Sequence, residues 1–114
     1  MTVPGAPADA LRARAADLDA LLSRLDADAA AVRADRADQT ADDEHDPEGS
    51  TLSGEWQRIE ALRRAAASER SEVDAALARI AAGTYGVCVV CGAGIPAGRL
   101  EARPFATTCV ACAA

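Results

Sequence analysis

Two long stretches of the chain contain neither Gly nor Pro and carry an apolar residue at every seventh position. They run from residue 9 to about residue 40 and from residue 55 to residue 82. The first repeat consists of Leu11, Leu18, Leu25 and Val32, and the second, which starts just upstream, of Leu52, Ile59, Ala66, Val73 and Ile80. A sustained seven-residue apolar repeat is the seam of a coiled coil. The sequence therefore predicts two long helices, with Trp56, Leu62 and Leu77 widening the second stripe.

The two repeats come into step if the chain folds back on itself at residues 45 and 46. The paired layers are then Leu11 with Ile80, Leu18 with Val73, Leu25 with Ala66, and Val32 with Ile59. Of the 114 residues, 30 are Ala and three are aromatic, which favours helices over a broad globular core or an enclosed substrate pocket. Two unrelated amphipathic helices in a bundle are the alternative. The matched registers favour an antiparallel hairpin.

Four cysteines near the end of the chain form two short pairs. Cys88-Val-Val-Cys91 is followed, after seventeen residues, by Cys109-Val-Ala-Cys112. This spacing is typical of a zinc ion bound by four thiolates, and four protein ligands leave no open position for catalysis. Two disulfides are the first alternative, and a redox-active Cys-x-x-Cys, which needs a strand and helix framework, is the second. The prediction is one structural Zn²⁺ held by all four cysteines.

Gly and apolar residues around the cysteines have expected structural roles. Gly83 lies where a helix needs to end, and Gly92 follows the first cysteine pair, where the metal loop needs a permissive backbone. A small apolar cover is expected from four side chains: Tyr85, Ile95, Leu100 and Phe105. The predicted fold class is therefore all-α, an antiparallel two-helix coiled-coil hairpin closed by a small four-cysteine zinc-finger module.

The charge of the chain argues against nucleic acid as a partner. The formal net charge is −6, and all twelve basic residues are Arg. Tight nucleic-acid binding depends on neutralising phosphates, which an acidic chain without a basic run does poorly. No signal peptide is visible at the N-terminus, and no apolar run is long enough to span a bilayer. We expect a cytoplasmic protein whose partners are a metal and positively charged protein surfaces.

Acidic residues are concentrated at the predicted fold point. Residues 42–48 read Asp-Asp-Glu-His-Asp-Pro-Glu, with five carboxylates in seven positions. Asp46 and Pro47 are also a good helix start, and an acidic run is often only solvated surface. Repulsion between like charges makes the cluster costly, which indicates a function for it. The predicted organisation is a flexible N-terminal tail (1–8), a helical hairpin (9–82) with an acidic tip at about 41–50, and a four-cysteine zinc finger (83–114).

The stretch from residue 76 to residue 112 closely resembles a known zinc finger. It contains Gly-Thr-Tyr-Gly before the first cysteine pair, Ile-Pro after it, and Arg-Leu-Glu-Ala-Arg-Pro-Phe before the second pair. These motifs resemble the four-cysteine finger of the DksA/TraR family of bacterial transcription regulators. The resemblance implies a hairpin that enters the secondary channel of RNA polymerase, with an Asp-x-x-Asp-x-Ala tip near the catalytic centre. Asp43 and Asp46 match the two Asp positions, and Glu48 stands where the family has Ala.

The resulting functional prediction is a zinc-binding transcription regulator that is not an enzyme. It binds RNA polymerase as a monomer, does not bind DNA or membranes, and modulates initiation with the tip residues Asp43, Asp46 and Glu48. The alternative is a zinc-stabilised coiled-coil interaction protein that uses the hairpin flank and Trp56 against another partner. The sequence does not support an enzymatic function, because it has no Cys–His pair at useful spacing and no phosphate-binding Gly loop.

Overall fold

The structure is a computed structural model of the chain. The backbone is described for residues 5–42 and 47–113, and the side chains for residues 7–38 and 52–113. The predicted fold point at residues 45 and 46 is outside the described backbone. The predicted tip residues lie outside the described side chains: Asp43, Asp46 and Glu48. Their roles therefore stay predictions.

Three helices account for the regular structure of the described residues. They are α1 (Gly5–Asp42), α2 (Pro47–Ala82) and the short α3 (Ala97–Ala102). Between residues 5–42 and 47–113 there is no strand, only an isolated antiparallel bridge between Val87 and Gly94. No helix in this part of the chain has the length and hydrophobicity needed to cross a membrane. The all-α fold class is confirmed.

Helix α1 begins upstream of the stretch that is free of Gly and Pro. It starts at Gly5, so that Pro7 lies in its first turn. Proline is tolerated there because the first N–H groups of a helix have no acceptor within it. From this turn onwards the buried positions of α1 are three or four residues apart, except for one interval of seven between Leu18 and Leu25: Ala8, Leu11, Ala15, Leu18, Leu25, Ala29 and Val32.

The chain divides into two compact units, the first of which contains Asp17–Glu69. Its core is a cluster of buried side chains from both long helices: Leu25, Ala29, Val32 and Ile59, with Leu21, Leu52 and Trp56 packed against them. Val32 and Ile59, which were predicted to form one layer of the coiled coil, therefore both belong to this cluster.

Two contacts between the long helices in this unit establish their direction. Arg63 Nε lies 2.8 Å from Asp26 Oδ1. Seven positions later in α1, the Arg33 guanidinium lies 5.3 Å from the centroid of the Trp56 ring, which is seven positions earlier than Arg63 in α2. A later residue of α1 thus contacts an earlier residue of α2, so the two helices are antiparallel. The predicted two-helix hairpin is confirmed.

One assignment within the seam was wrong. Leu62 was expected to widen the apolar stripe, but it is 48% exposed. Inward-facing positions of a coiled coil alternate in steps of three and four, and after Ile59 the inward position is residue 63. Arg63 occupies it with its stem along the seam, and its Nη1 donates a hydrogen bond of 2.8 Å to Glu60 Oε1. That hydrogen bond and the nearby carboxylate of Asp26 raise the pKa of Arg63.

The second unit joins Met1–Ala16 to Arg70–Ala114 and contains the cysteines. Its helical part is built on small and medium side chains: Ala8, Leu11, Ala15, Val73 and Ala76 are all buried, the last two with no exposed surface. Alanine at several seam positions buries little area per layer, so the stability of this unit depends on the structure that follows α2.

Candidate metal centre

The chain leaves α2 through a glycine-dependent turn. The N–H of Gly83 donates to the carbonyl of Ile80 at 3.1 Å, and the N–H of Thr84 donates to that of Arg79 at 2.9 Å. These two bonds form a Schellman motif, which needs a left-handed residue after the helix. Gly83 has a φ of 78°. The predicted helix stop is confirmed, and the turn directs the chain into the finger.

The first cysteine pair lies in a tight loop. The N–H of Cys88 donates to the carbonyl of Ala93 at 2.8 Å, and the N–H of Gly92 donates to that of Cys88 at 2.9 Å. Gly92 has a φ of 78°, as the prediction of a permissive backbone requires. Below the loop, the N–H of Ile95 donates to the carbonyl of Gly86 at 2.7 Å. These bonds hold the sulfurs of the pair on the same side of the loop.

The second cysteine pair has its own turn and one bond to the first loop. The N–H groups of Cys112 and Ala113 both donate to the carbonyl of Cys109, at 3.1 and 3.0 Å. The N–H of Val89 donates to the carbonyl of Thr107 at 2.9 Å. The backbone thus brings together two cysteine pairs that are seventeen residues apart in the sequence.

The four sulfur atoms have the spacing of a zinc site. The Sγ atoms of Cys88, Cys91, Cys109 and Cys112 all lie within 4.8 Å of one another. Those of Cys91 and Cys109 are 3.7 Å apart. A tetrahedral ion with zinc–sulfur bonds of ~2.3 Å separates its sulfurs by ~3.8 Å, whereas a disulfide joins them at ~2.05 Å. None of the four cysteines is in a disulfide, which favours metal binding over the disulfide alternative. The donor set fits one structural Zn²⁺, as predicted.

The thiols of this cluster differ in acidity. Backbone hydrogen bonding from Cys91, Cys109 and Val90 lowers the pKa of Cys88 to about 6. Hydrogen bonds with the thiols of Cys109, Cys91 and Cys88 raise the pKa of Cys112 to about 12. Metal binding requires the thiolate form at each ligand. All four thiols therefore have to be deprotonated when the ion binds.

The side chains predicted to form a small apolar cover are at least partly withdrawn from solvent. Ile95 is buried, and Leu100 and Phe105 are half-buried. The hydroxyl of Tyr85 donates a hydrogen bond of 3.0 Å to the carbonyl of Pro104, and burial raises the pKa of this phenol. The tyrosine thus ties the start of the finger to the segment that leads into the second cysteine pair.

Arg99 in α3 is bonded to the segment that leads into the second pair. Its Nε donates a hydrogen bond of 3.0 Å to the carbonyl of Thr108, the residue before Cys109. The sequence analysis did not assign this role to Arg99. The contact joins residues nine positions apart, and no spacing pattern in the sequence indicates it.

The middle residues of the two cysteine pairs were also not singled out from the sequence. Val89 and Val90 are 68% and 69% exposed, and Val110 is 67% exposed. The signal was present, because both sulfurs of a Cys-x-x-Cys pair face the metal and the residues between them face outwards. In this chain, three of the outward-facing residues are apolar.

Comparisons with known proteins agree with this geometry. Residues 83–114 match the prokaryotic dksA/traR C4-type zinc finger. Over 42 residues the chain is 50% identical to an uncharacterized protein of Aquifex aeolicus (strain VF5), and this stretch covers 37% of the chain and 29% of that relative. The fold is similar to that of transcription factor DksA2 from Pseudomonas aeruginosa. The TM-score is 0.80 at 22% identity, and the match covers 95% of this chain and 78% of that one.

Fold and site together define a class of protein: a two-helix hairpin followed by a finger in which four cysteines hold one structural zinc ion. The finger is of the dksA/traR C4 type, and the fold over nearly the whole chain is that of a DksA protein. The resemblance found in the sequence is thus confirmed for the finger, and the fold around it is similar to that of DksA2.

Proposed function

We propose that the chain regulates transcription by binding RNA polymerase through its secondary channel and modulating initiation, without catalysis and without binding DNA. The observation that carries this proposal is the dksA/traR finger on a two-helix hairpin. The structurally similar DksA2 is a transcription factor. The site of action proposed for such a protein is the cytoplasm.

The charge of the chain supports a protein partner over nucleic acid. With a net charge of −6, the chain is repelled by phosphates and attracted to a positively charged protein channel. In this proposal, Asp43 and Asp46 bring their carboxylates near the catalytic Mg²⁺ of the polymerase or its mobile loops. Glu48 adds a third carboxylate where the family has Ala, so its effect on the polymerase is specific to this chain.

The parts of the chain have separate roles in this mechanism. The antiparallel helices present the acidic residues, and the zinc finger secures the end of α2 through the Gly83 turn and the four sulfurs. The chain makes and breaks no bond in this scheme. Its effect on initiation is steric and electrostatic.

The test compares binding and transcription for three zinc-loaded proteins with RNA polymerase of the source organism. They are the wild type, the tip variant Asp43→Asn/Asp46→Asn, and the control variant Asp17→Asn/Asp28→Asn. The control loses the same charge at exposed positions of α1. We expect all three to bind, and only the tip variant to lose its effect on transcription initiation.

Two other results would redirect the interpretation. Equal loss of regulation in the tip and control variants would mean that overall charge, and not the tip, is responsible. Absence of binding at micromolar polymerase would refute the proposal and favour an interaction protein with a different partner.

A further inference from the structure

Two polar contacts between the long helices share one midpoint along the chain. Asp26 forms an ion pair with Arg63, and the Arg33 guanidinium lies over the Trp56 ring. The midpoint of each pair falls between residues 44 and 45. All four residues belong to the same compact unit of the chain. The two contacts therefore describe a single register of α1 against α2.

The apolar seam does not define this register by itself. Both helices repeat an apolar residue at every seventh position, so a shift by seven residues again brings apolar side chains together. After a shift in one direction, Val32 faces Ala66 instead of Ile59. The midpoint then moves to residue 48, next to Pro47 and Gly49, which are residue types common in turns. Apolar packing alone thus permits more than one hairpin.

Charges on α1 distinguish the shifted registers from the observed one. Asp19, Asp26 and Arg33 follow each other at steps of seven on one side of the helix. A shift in one direction brings Arg33 opposite Arg63, and the like charges repel.

A shift in the other direction replaces Asp26 by Asp19 as the partner of Arg63, but it also brings Asp26 to the Trp56 ring. The negative face of an aromatic ring attracts a cation and repels an anion. Only the observed register makes both contacts favourable.

The exposure of the ion pair separates its effect on register from its effect on stability. The side chains of Arg63 and Asp26 are 40% and 60% exposed. An ion pair this exposed contributes little to the free energy of unfolding. Charged residues beside a coiled-coil seam nevertheless determine how helices pair, because the alternatives place unlike or like charges together.

The register also determines where the two tip aspartates lie along the hairpin. Asp43 and Asp46 are equally far from the midpoint, one before it and one after it. A shift by seven residues moves the midpoint by three to four residues, which leaves both aspartates on the same side. We infer that Asp26 and Arg33 are positioning residues, which select the register through Arg63 and Trp56 and so place the tip. The effect on the tip rests on the proposed function.

The test exchanges the two charges in Asp26→Arg/Arg33→Asp, which keeps the composition, the net charge and the apolar seam. The observed register then has like charges at Arg63, and the shifted register has unlike charges. The control Asp17→Arg/Arg24→Asp makes the same exchange at the same spacing, at exposed positions of α1. Methyl NMR of the zinc-loaded chains measures the register. We expect cross-peaks between Val32 and Ile59 in wild type and control, and between Val32 and Ala66 in the exchange variant.

A rescue variant and a transcription assay complete the test. Adding Arg63→Glu to the exchange variant restores unlike charges in the observed register, so we expect the cross-peaks of Val32 with Ile59 to return. A residue that only adds stability would give no such rescue. With RNA polymerase of the source organism, we expect the exchange variant to lose its effect on initiation and the rescue variant to regain it.

Each result decides the inference. Cross-peaks of Val32 with Ile59 in a folded exchange variant would overturn it and leave the proposed function intact. A shifted variant that regulates like the wild type would overturn the positioning of the tip. Failure of the wild type to bind polymerase would refute the proposed function and the role in the tip, while NMR still decides the register.

If the exchange variant loses its helical circular dichroism, Asp26→Arg decides instead. In the opposite shift, Arg63 faces Asp19 and the introduced guanidinium reaches the ring of Trp56. We expect cross-peaks between Leu18 and Ala66 in this variant, and a wild-type pattern would overturn the inference.

Discussion

Replacing Gly83 by Ala tests whether the turn after α2 depends on a left-handed residue. The φ of 78° costs an L-residue about 1–2 kcal/mol. A β-carbon at this position has no atom within 4 Å, so no steric clash is added. Alanine also restricts the unfolded chain, which offsets about 0.4–1 kcal/mol. We expect Gly83→Ala to lower the free energy of unfolding by about 1 kcal/mol, from these opposing effects.

The matched control is the same substitution inside a helix. Gly54 lies in α2, and a β-carbon there also has open space around it. Without a left-handed backbone, Gly54→Ala is expected to raise the free energy of unfolding by about 0.5–1 kcal/mol. Urea unfolding of both zinc-saturated variants, followed by helical circular dichroism, gives the two values. Shifts in the same direction would refute the argument from the turn geometry.

Three further changes test the seam and the metal. Stripping zinc with a strong chelator is expected to reduce helical circular dichroism, and an unchanged spectrum after verified metal loss would contradict a structural ion. Val73→Ala removes a side chain with no exposed surface. It is expected to lower the free energy of unfolding in urea by about 2 kcal/mol, and a loss below ~0.5 kcal/mol would mean that the site is loosely packed. Arg63→Leu is expected to raise the melting temperature, because the seam gains an apolar residue while the carboxylate of Asp26 stays in solvent. A lower melting temperature would show that the ion pairs of Arg63 outweigh apolar packing.

The metal centre was predictable because its geometry is encoded locally. A two-residue gap brings both sulfurs of a pair to one ion, whatever the residues between them. Gly83 and Gly92 were predictable for a similar reason, since a helix end and a metal loop each need a backbone that other residues rarely adopt. Arg99 was not predictable, because its bond to Thr108 depends on how α3 lies over the second loop.

The seam shows where sequence patterns reach their limit. The repeat through Ile59 and Ala66 identified the helices and their direction. It did not identify the inward-facing position between Ile59 and Ala66, because residues 62 and 63 are adjacent and both lie close to the seam. Hydrophobicity favoured Leu62, whereas the structure has Arg63 there, since its long stem reaches past the seam to the carboxylate of Asp26.

The finger has very few buried side chains, which has a consequence for its evolution. Among residues 83–113, only Cys88 and Ile95 are buried. Shape is maintained by backbone bonds, by glycines in the left-handed region and by the metal, so most other positions are under little constraint from folding. Such a module can acquire a new binding preference by single substitutions without first losing stability. A saturation mutagenesis scan that selects for zinc binding should therefore tolerate almost any residue at the two positions inside each cysteine pair, and few residues at Gly83 and Gly92.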